Sequence, residues 1–121
     1  SVSSTENISD ALLATGFPYY DYKKLAAYMD ILTWLMYNTR GIRRLGSAAV
    51  DLAYVACGRF DGFYEYSLNP WDVAAGALII MEAGGSVTDF KGEKNYLFGK
   101  EILASNLMLR REFTDRIKNT F

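Results

Sequence analysis

No histidine occurs in this chain of 121 residues, which also has a single cysteine and only two prolines. Without imidazole, Ser-His-Asp and Cys-His catalysis and the histidine-rich zinc sites are excluded. One cysteine cannot form an internal disulfide, and the setting of Cys57 among Tyr54, Val55 and Ala56 predicts a buried, inert thiol. Charge of neither sign is in excess: 13 basic residues stand against 14 acidic ones, for a net charge of −1. Such a balance gives no field to draw a nucleic-acid backbone or an anionic membrane, so neither is expected as a direct partner. No apolar run approaches the roughly 20 residues that a bilayer span needs. The opening Ser-Val-Ser-Ser-Thr-Glu-Asn lacks the charged-then-apolar pattern of a signal peptide. A soluble, cytoplasmic protein is the expectation. The chemistry left available is that of carboxylates and hydroxyls, donors that suit hard cations such as Mg²⁺.

What is present is a large apolar share, 50% of residues, in a length that suits one domain or a piece of a larger fold. The best-marked element runs from Asn69 to Gly85. Asn69 suits an N-cap, Pro70 the first helical position, and Gly84-Gly85 a helix stop. Val73, Ala74, Ala77, Leu78 and Met81 line one face, and Ala75, Gly76 and Ile79 much of the other, which predicts a helix buried nearly all round. Steps of three and four among Leu25, Tyr28, Met29, Leu32, Leu35 and Met36 predict an amphipathic helix over 21–39. A second apolar helix, from Ser47 as N-cap to about Cys57, should be sandwiched between layers. Strands are expected at 12–18, 42–45, 60–67, 86–90 and 102–105, with Asn106 capping a last helix to about Lys118. The segment from Asn7 to Ala14 fits a short helix or the approach to the first strand. Strands alternating with helices give an α/β layer architecture.

Three features fall where α/β proteins gather ligands, beyond the carboxyl ends of strands. Gly46-Ser47-Ala48 offers backbone amides at a helix start, Glu65 ends a strand, and Asp72 opens the next helix. Each has a plain structural reading as well. Asp72 suits a first-turn cap, Gly46-Ser47 is an ordinary helix entry, and Glu65 is placed for an ion pair with Arg43 or Arg44.

Taken together they resemble a family. Trp71-Asp72-Val73-Ala74-Ala75-Gly76 followed by Glu82-Ala83-Gly84-Gly85 is similar to the C-terminal signature of the inositol monophosphatase family. Gly41 to Leu52, Gly58 to Glu65, and Thr15-Gly16-Phe17 match further segments of it, so the likeness runs from about residue 11 to the end. The resemblance implies the C-terminal domain of the inositol monophosphatase and sugar phosphatase fold, a three-layer αβα sandwich. It implies an Mg²⁺-dependent phosphatase acting on small phosphate monoesters such as inositol 1-phosphate, with a phosphorylated cyclitol or sugar as substrate and a homodimer as the assembly. It assigns Asp72 as a metal ligand, and Gly46, Ser47, Ala48, Glu65 and Asp72 to the substrate pocket. The family's N-terminal glutamate and its Asp-Pro-x-Asp-Gly-Thr motif do not occur here. The chain therefore reads as the C-terminal half, inactive alone, with its catalytic set completed by the missing N-terminal half. The alternatives are a folded interaction or dimerisation module, with partners such as the transcription machinery, and a relative acting on fructose bisphosphate or a nucleotide bisphosphate.

Overall fold

The computed structural model describes residues 1–17 and 22–121. Its strands are β1 (Leu12–Thr15), β2 (Gly41–Arg43), β3 (Gly62–Tyr66), β4 (Ser86–Thr88) and β5 (Glu101–Ser105). Its α-helices are α1 (Leu25–Asn38), α2 (Ala48–Ala56), α3 (Pro70–Glu82) and α4 (Arg110–Thr120), and a 3₁₀ turn spans Ile8–Asp10. The strands form one sheet in the order β2-β1-β3-β5-β4. β1 pairs parallel with both β2 and β3, whereas β5 runs antiparallel to β3 and β4.

Alternation of side chains along the strands divides the core in two. Ala14, Phe63, Ile102 and Ala104 face a cluster closed by Leu52, Val55 and Ala56 of α2 and Val73, Ala77 and Ile80 of α3. Leu13, Tyr64, Tyr66 and Leu103 face the opposite cluster, closed by Tyr28, Ile31 and Leu35 of α1 and Phe113 and Ile117 of α4. Helices on both faces of one mixed sheet give the expected three-layer αβα sandwich. α2 and α3 cross closely because residue 76 has no side chain: a Cβ there would lie 2.6 Å from that of Leu52.

Several expectations require correction. α3 is buried on one side only. Val73, Gly76, Ala77 and Ile80 face the core, while Trp71 (78% exposed), Leu78, Ile79 and Met81 face outward. The same holds for α2, whose Ala49, Val50 and Ala53 are exposed, so neither helix is sandwiched within this chain. Both are apolar all round, and composition alone does not say which side of such a helix packs. In α1 the buried stripe is Tyr28, Ile31 and Leu35, and Leu25, Met29 and Met36 of the expected stripe are exposed. The expected beginning of that helix at Asp21, and Pro18 at the end of the first predicted strand, lie outside the described residues. Cys57 is exposed at the C-cap of α2, since the helix turns its thiol outward as it ends. Asn106 caps a turn rather than the last helix: its side-chain oxygen accepts from the Leu109 amide at 2.8 Å, and α4 begins one residue later.

Candidate functional site at the carboxyl ends of the parallel strands

β1, β2 and β3 run parallel, so their carboxyl ends, and the segments that follow them, lie along one edge of the sheet. Gly16 follows β1 there. From β2 the chain continues through Arg44 and Gly46 into α2, and from β3 through Ser67 into α3. The start of α2 is built as the sequence indicated. Gly46 has φ 85°, and the Ser47 hydroxyl accepts from the Val50 amide at 3.3 Å. The first-turn amides of Ala48 and Ala49 have no acceptor within their own helix and point toward the edge. α3 starts in a comparable way. Asp72 accepts from the Asn69 amide through Oδ2 at 3.1 Å, one limb of a capping box, and its Oδ1 accepts no hydrogen bond among the described residues. The capping reading of Asp72 is thus right for one oxygen, and the other remains open to a ligand.

Glu65 lies between these two helix starts. Its carboxylate is laid across Gly16, in the space where the Cβ of any other residue would stand. Burial raises its pKa to about 7, with the charges of Asp51 and Asp72 adding to the rise and Arg44 opposing it. Three of the predicted residues, Ser47, Glu65 and Asp72, therefore come together at one edge, with Gly46 and Ala48 beside them. Of the two arginines that the sequence offered as ion-pair partners, Arg44 is the one whose charge acts on Glu65. It also lies over the Phe17 ring at 4.9 Å. Arg43 instead donates to the Ile42 carbonyl at 3.2 Å.

Asp51 was given no role by sequence reasoning. It is 1% exposed, neither of its carboxylate oxygens has a hydrogen-bond partner, and burial raises it to about 6 against the pull of Arg44. The available signal was a carboxylate on the inward stripe of α2 formed by Ala48, Asp51, Leu52 and Val55. Ser67 was missed as well: it adopts φ 69° in the turn from β3 to α3, a region L-residues seldom enter.

Among the described residues no three acidic, cysteine or histidine side chains are grouped to hold a metal ion. A carboxylate oxygen of Asp72 is the right kind of donor for Mg²⁺, but it is one ligand where octahedral coordination requires several. A separate apolar cavity of about 340 Å³ opens between Thr15, Phe17, Leu32, Met36 and Arg44, and neither Glu65 nor Asp72 lines it.

The sequence model of the inositol monophosphatase family matches residues 1–120. The Nus factor SuhB of Pseudomonas aeruginosa is 48% identical over 107 residues, which cover 87% of this chain and 40% of that protein. The crystal structure of the extragenic suppressor protein suhB from Bartonella henselae superposes with a TM-score of 0.92 at 42% identity, covering 99% of this chain and 46% of that one. The inositol monophosphatase of Anabaena (Nostoc) sp. PCC 7120 superposes with a TM-score of 0.87 at 39% identity, covering 98% and 47%. The chain thus spans less than half the length of these proteins.

Proposed function

Because the chain belongs to the inositol monophosphatase family, we propose that it is the C-terminal half of an Mg²⁺-dependent phosphatase that hydrolyses small phosphate monoesters such as inositol 1-phosphate. The observation that carries this reading is the convergence of Glu65, the open oxygen of Asp72 and the start of α2 on one sheet edge. Glu65 accepts a ring hydroxyl of the cyclitol or sugar. The Ser47 hydroxyl and the Ala48 amide line the same pocket, where the positive end of α2 favours electron-rich groups. Asp72 gives one oxygen to the metal, which when bound supplies neutralisation of phosphate charge and a more acidic water. The missing half brings the remaining metal ligands and covers the outward faces of α2 and α3. This chain alone gives little or no turnover.

The test is phosphate release from inositol 1-phosphate by the full-length protein with Mg²⁺. Activity is expected in the wild type and its loss in Asp72→Asn; a variant as active as the wild type refutes the metal-ligand role. Relatives named Nus factors favour a second reading, a folded binding module acting through its own dimer or a protein partner. Sizing the full-length protein with and without Mg²⁺ and partner separates the two, because a monomer that joins no assembly speaks against the module.

A further inference from the structure

Four of the six lysines in this chain, Lys23, Lys24, Lys91 and Lys118, line one cavity, although the net charge of the whole is −1. They come from three separate segments: the entry to α1, the loop after β4 and the last turn of α4. The cavity has a volume of about 390 Å³, within the range of small-molecule sites, and lies on the α1–α4 side of the sheet. None of Ser47, Glu65 and Asp72 lines it. Its one acidic side chain is already committed. Glu101 pairs through Oε2 with Lys24 and accepts from the Phe90 amide through Oε1 at 3.4 Å. Lys91 and Lys118 make no ion pair or hydrogen bond through their ammonium groups among the described residues, and no second acidic side chain lines the cavity to balance them. The floor is apolar, with the rings of Phe90 and Phe121 4.7 Å apart.

We propose that this cavity is a binding site for a small polyanion of the oligophosphate class, with Lys91 and Lys118 as its principal contacts. An ammonium group is a compact point charge with three rotatable donors, which suits phosphate oxygens presented from several directions. Cations on three segments fit a ligand with more than one anionic group, and the apolar floor leaves less water to screen them. An extended polyanion finds no matching field, because the chain as a whole carries no basic excess. The site stands apart from the phosphatase reading, since it shares no residue with that pocket.

The experiment is a calorimetric titration of tripolyphosphate into the full-length protein without divalent cation. Binding is expected in the wild type, and Lys91→Glu/Lys118→Glu is expected to weaken it by about tenfold or more, the scale of one charge-assisted contact. Arg110→Glu/Arg111→Glu changes the net charge equally at the other end of α4, outside this cavity, and should leave the affinity near the wild-type value. Equal losses in the two double variants indicate general charge attraction and overturn the proposal, as does a wild type that binds nothing. Should the lysine variant fail to fold, acetylation of the wild type serves in its place. Tripolyphosphate is expected to protect Lys91 and Lys118 and to leave Lys94, outside the cavity, reactive. Uniform protection, or none, overturns the site. Binding to RNA or to phosphatidylserine vesicles with no response to tripolyphosphate overturns it too, since the surface then reads a macromolecule.

Discussion

The carboxylate of Glu65 occupies the volume that a side chain on residue 16 would need, so glycine at 16 and glutamate at 65 are one structural feature. β1 and β3 are paired in register up to Thr15 and Tyr64, which brings the next residue of each strand side by side. A methyl group at 16 overlaps Oε1 and Cδ of Glu65 and forces the carboxylate off the pocket floor. Gly16→Ala in the full-length protein is therefore expected to lower kcat/KM for inositol 1-phosphate about tenfold, roughly the worth of one charge-assisted hydrogen bond. Glu65→Ala gives a similar loss, and Gly16→Ala adds almost nothing to it, because the clash has been removed. Additive losses in the double variant would show that Gly16 acts through something other than Glu65.

Asp51 and Glu65 also make stability depend on pH. Both are raised by burial in the folded state, to about 6 and about 7, with Asp72 adding to the rise at Glu65 and Arg44 opposing it at both. Across the window from the ordinary carboxylate values up to about 7, the folded protein binds more protons than the unfolded one, so stability falls as pH rises. Thermal melts without divalent cation should give a higher Tm at pH 5 than at pH 7.5, and the difference should shrink in Asp51→Asn/Glu65→Gln. An undiminished difference in that double variant would place the linkage on other groups.

Asp61 ties the N-terminal segment to the sheet. Its Oδ2 accepts from the Leu12 amide at 2.7 Å and its Oδ1 from the Ser3 hydroxyl at 2.5 Å. Its carbonyl accepts from the Asn106 amide at 3.1 Å, while the Asn106 side chain donates to Ser3 and Thr5. Asp61→Ala orphans a half-buried amide and is expected to cost about 1–3 kcal/mol. Urea unfolding should show this as a lower midpoint with an unchanged slope. A midpoint within error of the wild type would mean that the hub is redundant.

These cases show what was legible before the structure. The ends of α3 and the N-cap Ser47 were marked by local chemistry, and local chemistry decided them. The α/β layering followed from the alternation of elements, and the three-layer αβα sandwich from the family resemblance. The role of Asp61 has no local mark, because its partners at Ser3 and Leu12 are 58 and 49 residues away. The reason for glycine at 16 lies on β3, and no spacing along the chain points to it. Asp51 passed without comment because a carboxylate one turn into a helix is ordinary until its burial is known. The stripe of α1 was placed in part: Tyr28 and Leu35 are buried as expected, but Met29 and Met36 fit the same periodicity and are exposed, while Ile31 is buried instead.

The outward face of α3 gives the last expectation. Trp71, Leu78, Ile79 and Met81 are between 43% and 78% exposed on one helix, and the exposed Ala74 and Ala75 lie between them. Contiguous apolar surface of this kind drives association unless something covers it. The 121-residue chain expressed alone should self-associate with rising concentration. Ile79→Lys is expected to suppress this without lowering Tm, since residue 79 makes no part of the buried core. In the full-length protein the same substitution should lower Tm, because there the lysine is trapped under the other half. Sedimentation of the isolated chain and melts of the full-length protein measure the two effects. A lysine tolerated equally in both would mean that this face stays open in the intact molecule.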